Sequence, residues 1–127
     1  MTVNDIYEAA LSLDSTLREQ DDSLRPHALQ WVNIFLAETL FAENSILKYE
    51  GKPRLLAAPL LADMAEEVPY HDELVRIAAP YYVASQILKD DDNNAWASRY
   101  YDMYYSALRE AIIADMDFGI DVWGGEE

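Results

Sequence analysis

The sequence contains no cysteine, which excludes a disulfide scaffold, a zinc site ligated by cysteine and a thiol nucleophile. Histidine occurs only twice, and there is neither a glycine-rich phosphate loop nor a Gly-x-Ser-x-Gly motif. No apolar run approaches the roughly 18 residues of a membrane helix, and the N-terminus lacks the layout of a signal peptide. We therefore expect a soluble protein made in the cytoplasm, which is not an enzyme and binds no cofactor or metal.

Basic residues are also scarce. Nine Lys and Arg stand against 24 Asp and Glu, so the net charge at pH 7 is −15. The imbalance grows along the chain: residues 1–64 carry five basic and ten acidic side chains, and residues 65–127 carry four and fourteen. A surface this negative repels phosphate, so we expect no specific binding of nucleic acid and no membrane partner. It allows a basic protein partner, or a surface that DNA passes without adhering.

The composition is that of one globular domain: 127 residues, 51% hydrophobic and 26% charged. Apolar side chains recur at helical spacing in four segments, namely residues 4–13, 23–49, 69–89 and 95–114. We therefore predict an all-α fold, in which residues 1–114 form a small bundle of about four helices. Residues 115–127 would follow it as an extended C-terminal arm.

Several residues predict where these helices begin, bend and end. Thr2 and Asp5 have the spacing of a capping pair at the first helix. Gly51 and Pro53 stop the second helix, and the apolar residues 55–64 then form a loop over the bundle or over a neighbour. Pro80 lies inside the third helix, where its missing N–H and its ring predict a kink.

Two acidic groups are candidate metal sites. The pattern Asp90-x-Asp92-x-Asn94 matches the start of a calcium loop, but its sixth position is Ala95 and its twelfth is Tyr101. We interpret this corner as a cap for the fourth helix. The second group is close in sequence but matches no helical ligand motif, which favours a solvated loop and first turn; its members are Glu66, Glu67, His71 and Asp72.

The last helix carries more aromatic residues than one core face of a small bundle normally uses. Two interpretations stay open: the rings fill the core, or they form a surface between subunits, because aromatic residues are enriched in the centres of interfaces. We expect some residues in each role. The candidates for a lateral interface are Trp96, Tyr100, Tyr101 and Tyr105.

The predicted arm is too apolar for a merely solvated tail, although disorder is the alternative. Its apolar residues alternate with Gly119 and Asp121, a period of two that favours an extended segment docked on another surface. The residues expected to contact a partner are Phe118, Ile120, Val122 and Trp123.

Two segments carry a resemblance to a known family. They are Val3-Asn4-Asp5-Ile6-Tyr7-Glu8-Ala9-Ala10-Leu11 and Pro69-Tyr70-His71-Asp72-Glu73-Leu74-Val75-Arg76-Ile77-Ala78-Ala79. Together with the acidic corner and the tyrosine-rich helix from Trp96 to Leu108, they resemble the small head-to-tail connector proteins of tailed bacteriophages, also called adaptor or head-completion proteins.

The resemblance implies a structural virion protein of the phage neck. Such proteins form a ring, commonly of twelve subunits, beneath the portal, where they join the DNA-filled head to the tail. The helical domains pack side by side and a C-terminal arm reaches the portal or a neighbour; in this chain the arm is 115–127. The implied partners are further copies of the chain, the portal protein and a downstream neck or tail protein, and DNA passes through the ring.

Two other functions fit the sequence. An acidic DNA mimic that inhibits a host DNA-binding protein would carry carboxylates at phosphate-like intervals, and its binding would weaken steeply with salt. A helical chaperone of tail assembly would bind a tail protein and be absent from the finished particle. The connector interpretation instead predicts a ring in the virion that survives moderate salt.

Overall fold

The computed structural model describes residues 1–18, 21–90 and 92–124, and the side chains of residues 1–18, 23–90 and 92–113. The described part is mostly helical. Its helices are α1 (Val3–Leu11), α2 (Ser15–Arg18), α3 (Asp21–Leu24), α4 (Ala28–Glu38), α5 (Leu40–Tyr49), α6 (Ala79–Asp90) and α7 (Asn94–Gly124). The predicted all-α class is confirmed. None of the described helices combines the length and the apolar character of a membrane span.

The first helix begins at the predicted capping pair. The backbone N–H of Asp5 donates to Thr2 Oγ1 at 3.1 Å, and the N–H of Thr2 donates to Asp5 Oδ2 at 3.0 Å. These reciprocal bonds satisfy two backbone donors that have no partner within the helix. Hydrogen bonding to the Thr2 backbone and side chain also lowers the pKa of Asp5 below its usual value.

The second predicted helix, 23–49, is in fact several segments. A 3₁₀ turn at Arg25–His27 separates α3 from α4, and the chain leaves helical geometry again at Thr39, between α4 and α5. The buried Thr39 hydroxyl donates to the carbonyl of Phe35 at 2.7 Å. A threonine that bonds back one turn bends a helix, which periodicity alone does not show.

The end of α5 is as predicted. Gly51 has a φ of +72°, in the left-handed region that glycine adopts without strain. Its N–H donates to the carbonyl of Lys48, and the N–H of Lys52 donates to the carbonyl of Leu47. This pair of bonds is the Schellman motif, which reverses the chain after α5.

The third helix is distorted at Pro80, as predicted. A π-helical turn at Leu74–Ala78 comes directly before α6, in the turn that faces the proline ring. A proline cannot donate to the carbonyl one turn back, and its ring clashes with that carbonyl at Arg76. The wider π turn accommodates both effects.

The acidic corner ends α6 and begins α7. Asp92 has a φ of +57°, and the N–H of Asn93 donates to the carbonyl of Leu88 at 2.9 Å. The corner is therefore a left-handed C-terminal cap of α6. It also begins the last helix, as predicted, since the N–H of Ala97 donates to the carbonyl of Asn93 at 2.9 Å. Asp91 lies outside the described residues.

Helix α6 is central, because it contacts α1, α4 and α7. Its buried residues, which include Tyr82, Val83 and Ile87, form the core together with buried residues of those helices. The large side chains that are almost fully buried include Ile6, Leu11, Val32, Phe35, Leu74, Ile87 and Tyr104.

The predicted arm differs from expectation in its backbone. Helix α7 continues without interruption across residue 114 to Gly124, where we predicted an extended segment with a period of two. Extending an existing helix needs no new nucleus, so one internal glycine, at a cost of about 1 kcal/mol, does not stop it. The arm's interface residues, Phe118, Ile120, Val122 and Trp123, have side chains outside the described part, as do residues 125–127, so that interface stays a prediction.

Candidate functional site

The inner side of α7 is part of the core. Tyr104 is only 1% exposed, and its ring centroid lies 6.0 Å from that of Phe35 and 5.2 Å from that of Tyr82. Burial raises the pKa of both tyrosines above the usual value. These rings stabilise the single chain and leave little area for a partner.

Of the four predicted lateral residues, two lie against their own chain. Tyr100 is buried, and its ring stacks on that of Tyr81 at 6.3 Å between centroids. Tyr101 is half-buried, and its hydroxyl faces Glu38 Oε1 at 3.4 Å. Burial, assisted by Tyr105 and Glu38, raises the pKa of Tyr101 to about 12. Tyr100 and most of the Tyr101 side chain therefore pack against their own chain and are not available to a neighbouring subunit.

The other two lateral candidates are exposed, on opposite sides of α7. Trp96 is 45% exposed and Tyr105 is 51% exposed. They are nine residues apart, which is two and a half turns of a helix. The two rings therefore cannot both lie at the centre of one interface with a neighbouring subunit.

The Trp96 side of α7 forms a groove with the π turn. We call this surface the outer face, defined by Ile77, Trp96, Arg99 and Met103. The Arg99 guanidinium lies 4.6 Å from the centre of the Trp96 ring, a cation–π contact. Ile77 and Met103 line a groove of about 410 Å³ and are both exposed.

The loop after α5 is fixed to the bundle by two asparagines. Asn44 accepts from the N–H of Leu55 at 2.7 Å and donates to its carbonyl at 3.1 Å. Asn33 makes the same pair of bonds with Leu61, at 2.9 Å and 3.0 Å. Each side-chain amide thus replaces the backbone partner that a strand would provide, and both ends of the segment between them are positioned.

That segment, residues 56–60, is the exposed loop. Leu56 is 87% exposed and Leu60 is 83% exposed, the highest values among the large apolar side chains that the structure describes. Leu60 also borders an apolar groove of about 490 Å³ with Leu29 and Ile34. Leucines that are held in position yet remain in water are typical of a contact surface for another protein.

His71 lies between two carboxylates, that of Glu43 on α5 and that of Glu50 directly after it. Its Nδ1 lies 2.9 Å from Glu43 Oε2, and its Nε2 lies 2.8 Å from Glu50 Oε1. Its backbone N–H also donates to Glu43 Oε1 at 2.8 Å. The Glu43 side chain is only 4% exposed, so a carboxylate is buried beside this imidazole.

The two carboxylates favour the protonated imidazole. Burial of the ring opposes protonation, but the hydrogen bonds to Glu43 and Glu50 outweigh it and raise the pKa of His71. The hydrogen bond from His71, and then that from Lys52, lowers the pKa of Glu50. A doubly protonated His71 donates to both carboxylates at once, and this satisfies the buried Glu43.

The acidic group around His71 does not converge as a ligand set. Glu66 Oε1 accepts from the backbone N–H of Ala62 at 2.6 Å, and Glu67 pairs with the N-terminal ammonium group at 3.0 Å. Among the side chains that the structure describes, at residues 1–18, 23–90 and 92–113, no three of His, Asp or Glu are grouped as they would be around a metal ion. The expectation of a solvated turn missed the pairing of His71, because Glu43 and Glu50 are more than 20 residues away in sequence.

Sequence spacing could have indicated only part of this surface. A helical stripe contains Trp96, Arg99 and Met103, but nothing local marks Asn33 or Asn44 as partners of the loop. No protein-family model, curated protein or solved structure matches the chain.

Proposed function

We propose that this chain is a structural subunit that assembles with copies of itself into the ring of a phage neck, where it joins head and tail. The observation that carries the proposal is the pair of exposed leucines, Leu56 and Leu60, on a loop that two asparagines hold in position. A folded protein gains nothing for its own stability from leucines in water. A second subunit would cover them.

A closed ring needs two different surfaces on each subunit, because every copy contacts its neighbours head to tail. The exposed loop and the outer face of α7 meet this requirement. They lie on different elements, after α5 and on α7, and both combine apolar side chains with a polar rim. The subunit number and the portal as partner are taken from the family resemblance and belong to the same proposal.

The charge of the chain supports a ring that DNA passes through. With a net charge of −15, the subunits give the phosphate backbone few cations to bind. Contacts between copies must then be apolar enough to offset the repulsion between acidic subunits. Such contacts survive moderate salt, whereas the binding of a DNA mimic to a basic partner weakens steeply.

The decisive experiment examines purified phage particles by mass spectrometry and electron microscopy. We expect the chain in the neck, in a fixed number of copies. A double variant, Leu56→Ser with Leu60→Ser, should fold normally but should be lost from particles. The control is Leu13→Ser, since Leu13 is partly exposed and lies on neither surface. A chain that is absent from finished particles, or a double variant that is incorporated normally, contradicts the proposal.

A further inference from the structure

A basic groove lies along α5 on an otherwise acidic molecule. Three of the nine basic residues, Lys48, Lys52 and Arg54, occur within seven positions. They line a groove of about 600 Å³ with Phe41, Asn44 and Ser45. Residues 44–62 contain only one acidic side chain, Glu50, so this segment is positive while the whole chain carries −15.

The groove is preformed. Phe41, Ser45 and Lys48 recur at intervals of four and three and so share one side of α5. After Gly51 reverses the chain, the bonds from Asn44 to Leu55 hold the following segment beside the helix. Binding there would require little ordering of the backbone, which lowers the entropic cost.

The cations of the groove are mostly available. Lys52 pairs with Glu50 at 3.2 Å. Neither Lys48 nor Arg54 has an ion pair with any residue that the structure describes. Phe41, which lines the same groove, is 59% exposed. The groove therefore presents two free cations beside an apolar ring, and its complement is an acidic segment with apolar side chains.

The arm of this chain has that composition. Residues 115–127 contain five acidic side chains and no basic one, together with five apolar residues: Met116, Phe118, Ile120, Val122 and Trp123. We propose that the basic groove binds the arm of a second copy of this chain, through carboxylates on Lys48 and Arg54 and an apolar residue on Phe41. A second copy is the proposed occupant because a ring joins each subunit to the next. The mixed-isotope experiment below separates this contact from binding within one chain.

This inference rests on the proposed function in one respect: it adds a second, salt-sensitive contact between subunits to the apolar contact made by the exposed loop and the outer face. Phosphate is the other anion that a basic groove attracts. The strongly negative charge of the whole molecule repels a nucleic acid, however, and an apolar ring offers nothing to its backbone. A protein segment with interleaved carboxylates and apolar side chains satisfies both parts of the groove.

The first test titrates a fluorescent synthetic peptide of residues 114–127 with the full chain and follows anisotropy. We expect saturable binding that weakens as salt is added. In a variant with Lys48→Gln and Arg54→Gln, affinity should fall by roughly tenfold, because two charged contacts are lost. A variant with Phe41→Ala should also bind more weakly. The matched control, Arg76→Gln with Arg109→Gln, removes the same charge elsewhere and should bind as the wild type does.

The second test uses the full chain without a peptide. Equal amounts of unlabelled and nitrogen-15 chains are mixed and treated with a carbodiimide, which joins a lysine amine to a carboxylate in contact with it. We expect crosslinked peptides of mixed isotopes that join Lys48 or Lys52 to Asp117 or Asp121. Circular dichroism confirms that each variant is folded.

Several results would overturn the inference. They are equal peptide affinity of the Lys48/Arg54 variant and the control, crosslinks confined to one isotope, and displacement of the peptide by a DNA oligonucleotide at lower concentration than by unlabelled peptide. The two proposals can fail separately. If the chain is found in the neck but its arm does not bind the groove, the ring proposal holds and this inference fails. If the arm binds the groove but the chain is absent from particles, the chain associates with itself and the connector role fails.

Discussion

Two regions of this molecule are held together by different interactions. Between α6 and α7 the contacts are aromatic rings, with Tyr82 and Tyr104 packed edge to face at 5.2 Å. Around α5 and the loop after it, the segments are joined by hydrogen bonds of polar side chains. Asn33 and Asn44 bind the loop, and His71 bonds to two carboxylates. The first region follows helical periodicity. In the second, no periodicity marks the partners in the sequence, and it is there that the exposed loop and the basic groove are found.

The sharpest way to test this comparison is to remove a ring from the aromatic region. Tyr104→Ala should lower the free energy of unfolding by about 3 to 5 kcal/mol, because a large buried side chain leaves a cavity among Phe35 and Tyr82. Chemical denaturation measures it. Tyr105→Ala on the same helix is the control and should cost only about 1 kcal/mol, because this ring is half in water and its edge-to-face contact with Tyr101 is worth about that much. Equal losses would show that the two sides of α7 do not differ.

In the polar region the largest effect is expected at His71. His71→Ala leaves the buried carboxylate of Glu43 without its cation, and the free energy of unfolding should fall by about 3 kcal/mol at acidic pH. Denaturation near pH 6 measures the loss. Glu50→Gln should cost much less, since Glu50 is more exposed and Glu43 keeps its partner. A loss at His71 no larger than at Glu50 would mean that the buried contact adds little.

The same histidine makes stability depend on pH with a definite sign. The pKa of His71 is higher in the folded chain than in the unfolded one, so its contribution is fully present below about pH 6.5 and is lost as pH rises through the folded value. The pKa of Glu50 is lowered, so its contribution is lost only as pH falls through the acidic range. Unfolding of His71→Gln, which cannot titrate, should lack the decline above about pH 6.5. A wild type that is as stable at pH 8 as at pH 6, relative to this variant, contradicts the assignment.

A smaller effect is expected where the loop joins α5. Asn44→Ala removes both bonds to Leu55, and the loss should be about 1 to 2 kcal/mol. Hydrogen exchange locates it: the amide of Leu55 should exchange faster, while that of Leu61, which Asn33 still holds, should change little. Similar acceleration at both amides would indicate that the loop opens as one unit.

How far the sequence predicts this structure follows from the same division. The Thr2 and Asp5 cap, the stop at Gly51 and the distortion before Pro80 are local, and each was predicted from a few neighbouring residues. The break at Thr39 was not, because the choice between continuing a helix and bonding back to Phe35 depends on packing.

The arm shows how a short pattern misleads. Phe118, Ile120 and Val122 alternate with a period of two, yet Ile113, Met116, Ile120 and Trp123 in the same stretch recur at helical intervals of three and four. The second pattern continues from an established helix, whereas an extended segment would need to break it. The sequence of the arm fits a helix and an extended segment equally well. The helix that precedes the arm decides between them, because the arm continues it.

The smallest effect on stability should come from the residues that matter most for the proposed assembly. Leu56→Ser changes a side chain that is 87% exposed, so the free energy of unfolding should stay within about 0.5 kcal/mol of the wild type. Denaturation of dilute chain measures this, and sedimentation at high concentration measures self-association, which should weaken. Because Asn44 and Asn33 hold the loop through backbone groups, the substitution leaves their bonds intact. A large loss of stability in the dilute monomer would mean that Leu56 packs on its own chain, and the exposed loop would then have no surplus apolar surface to offer a neighbour.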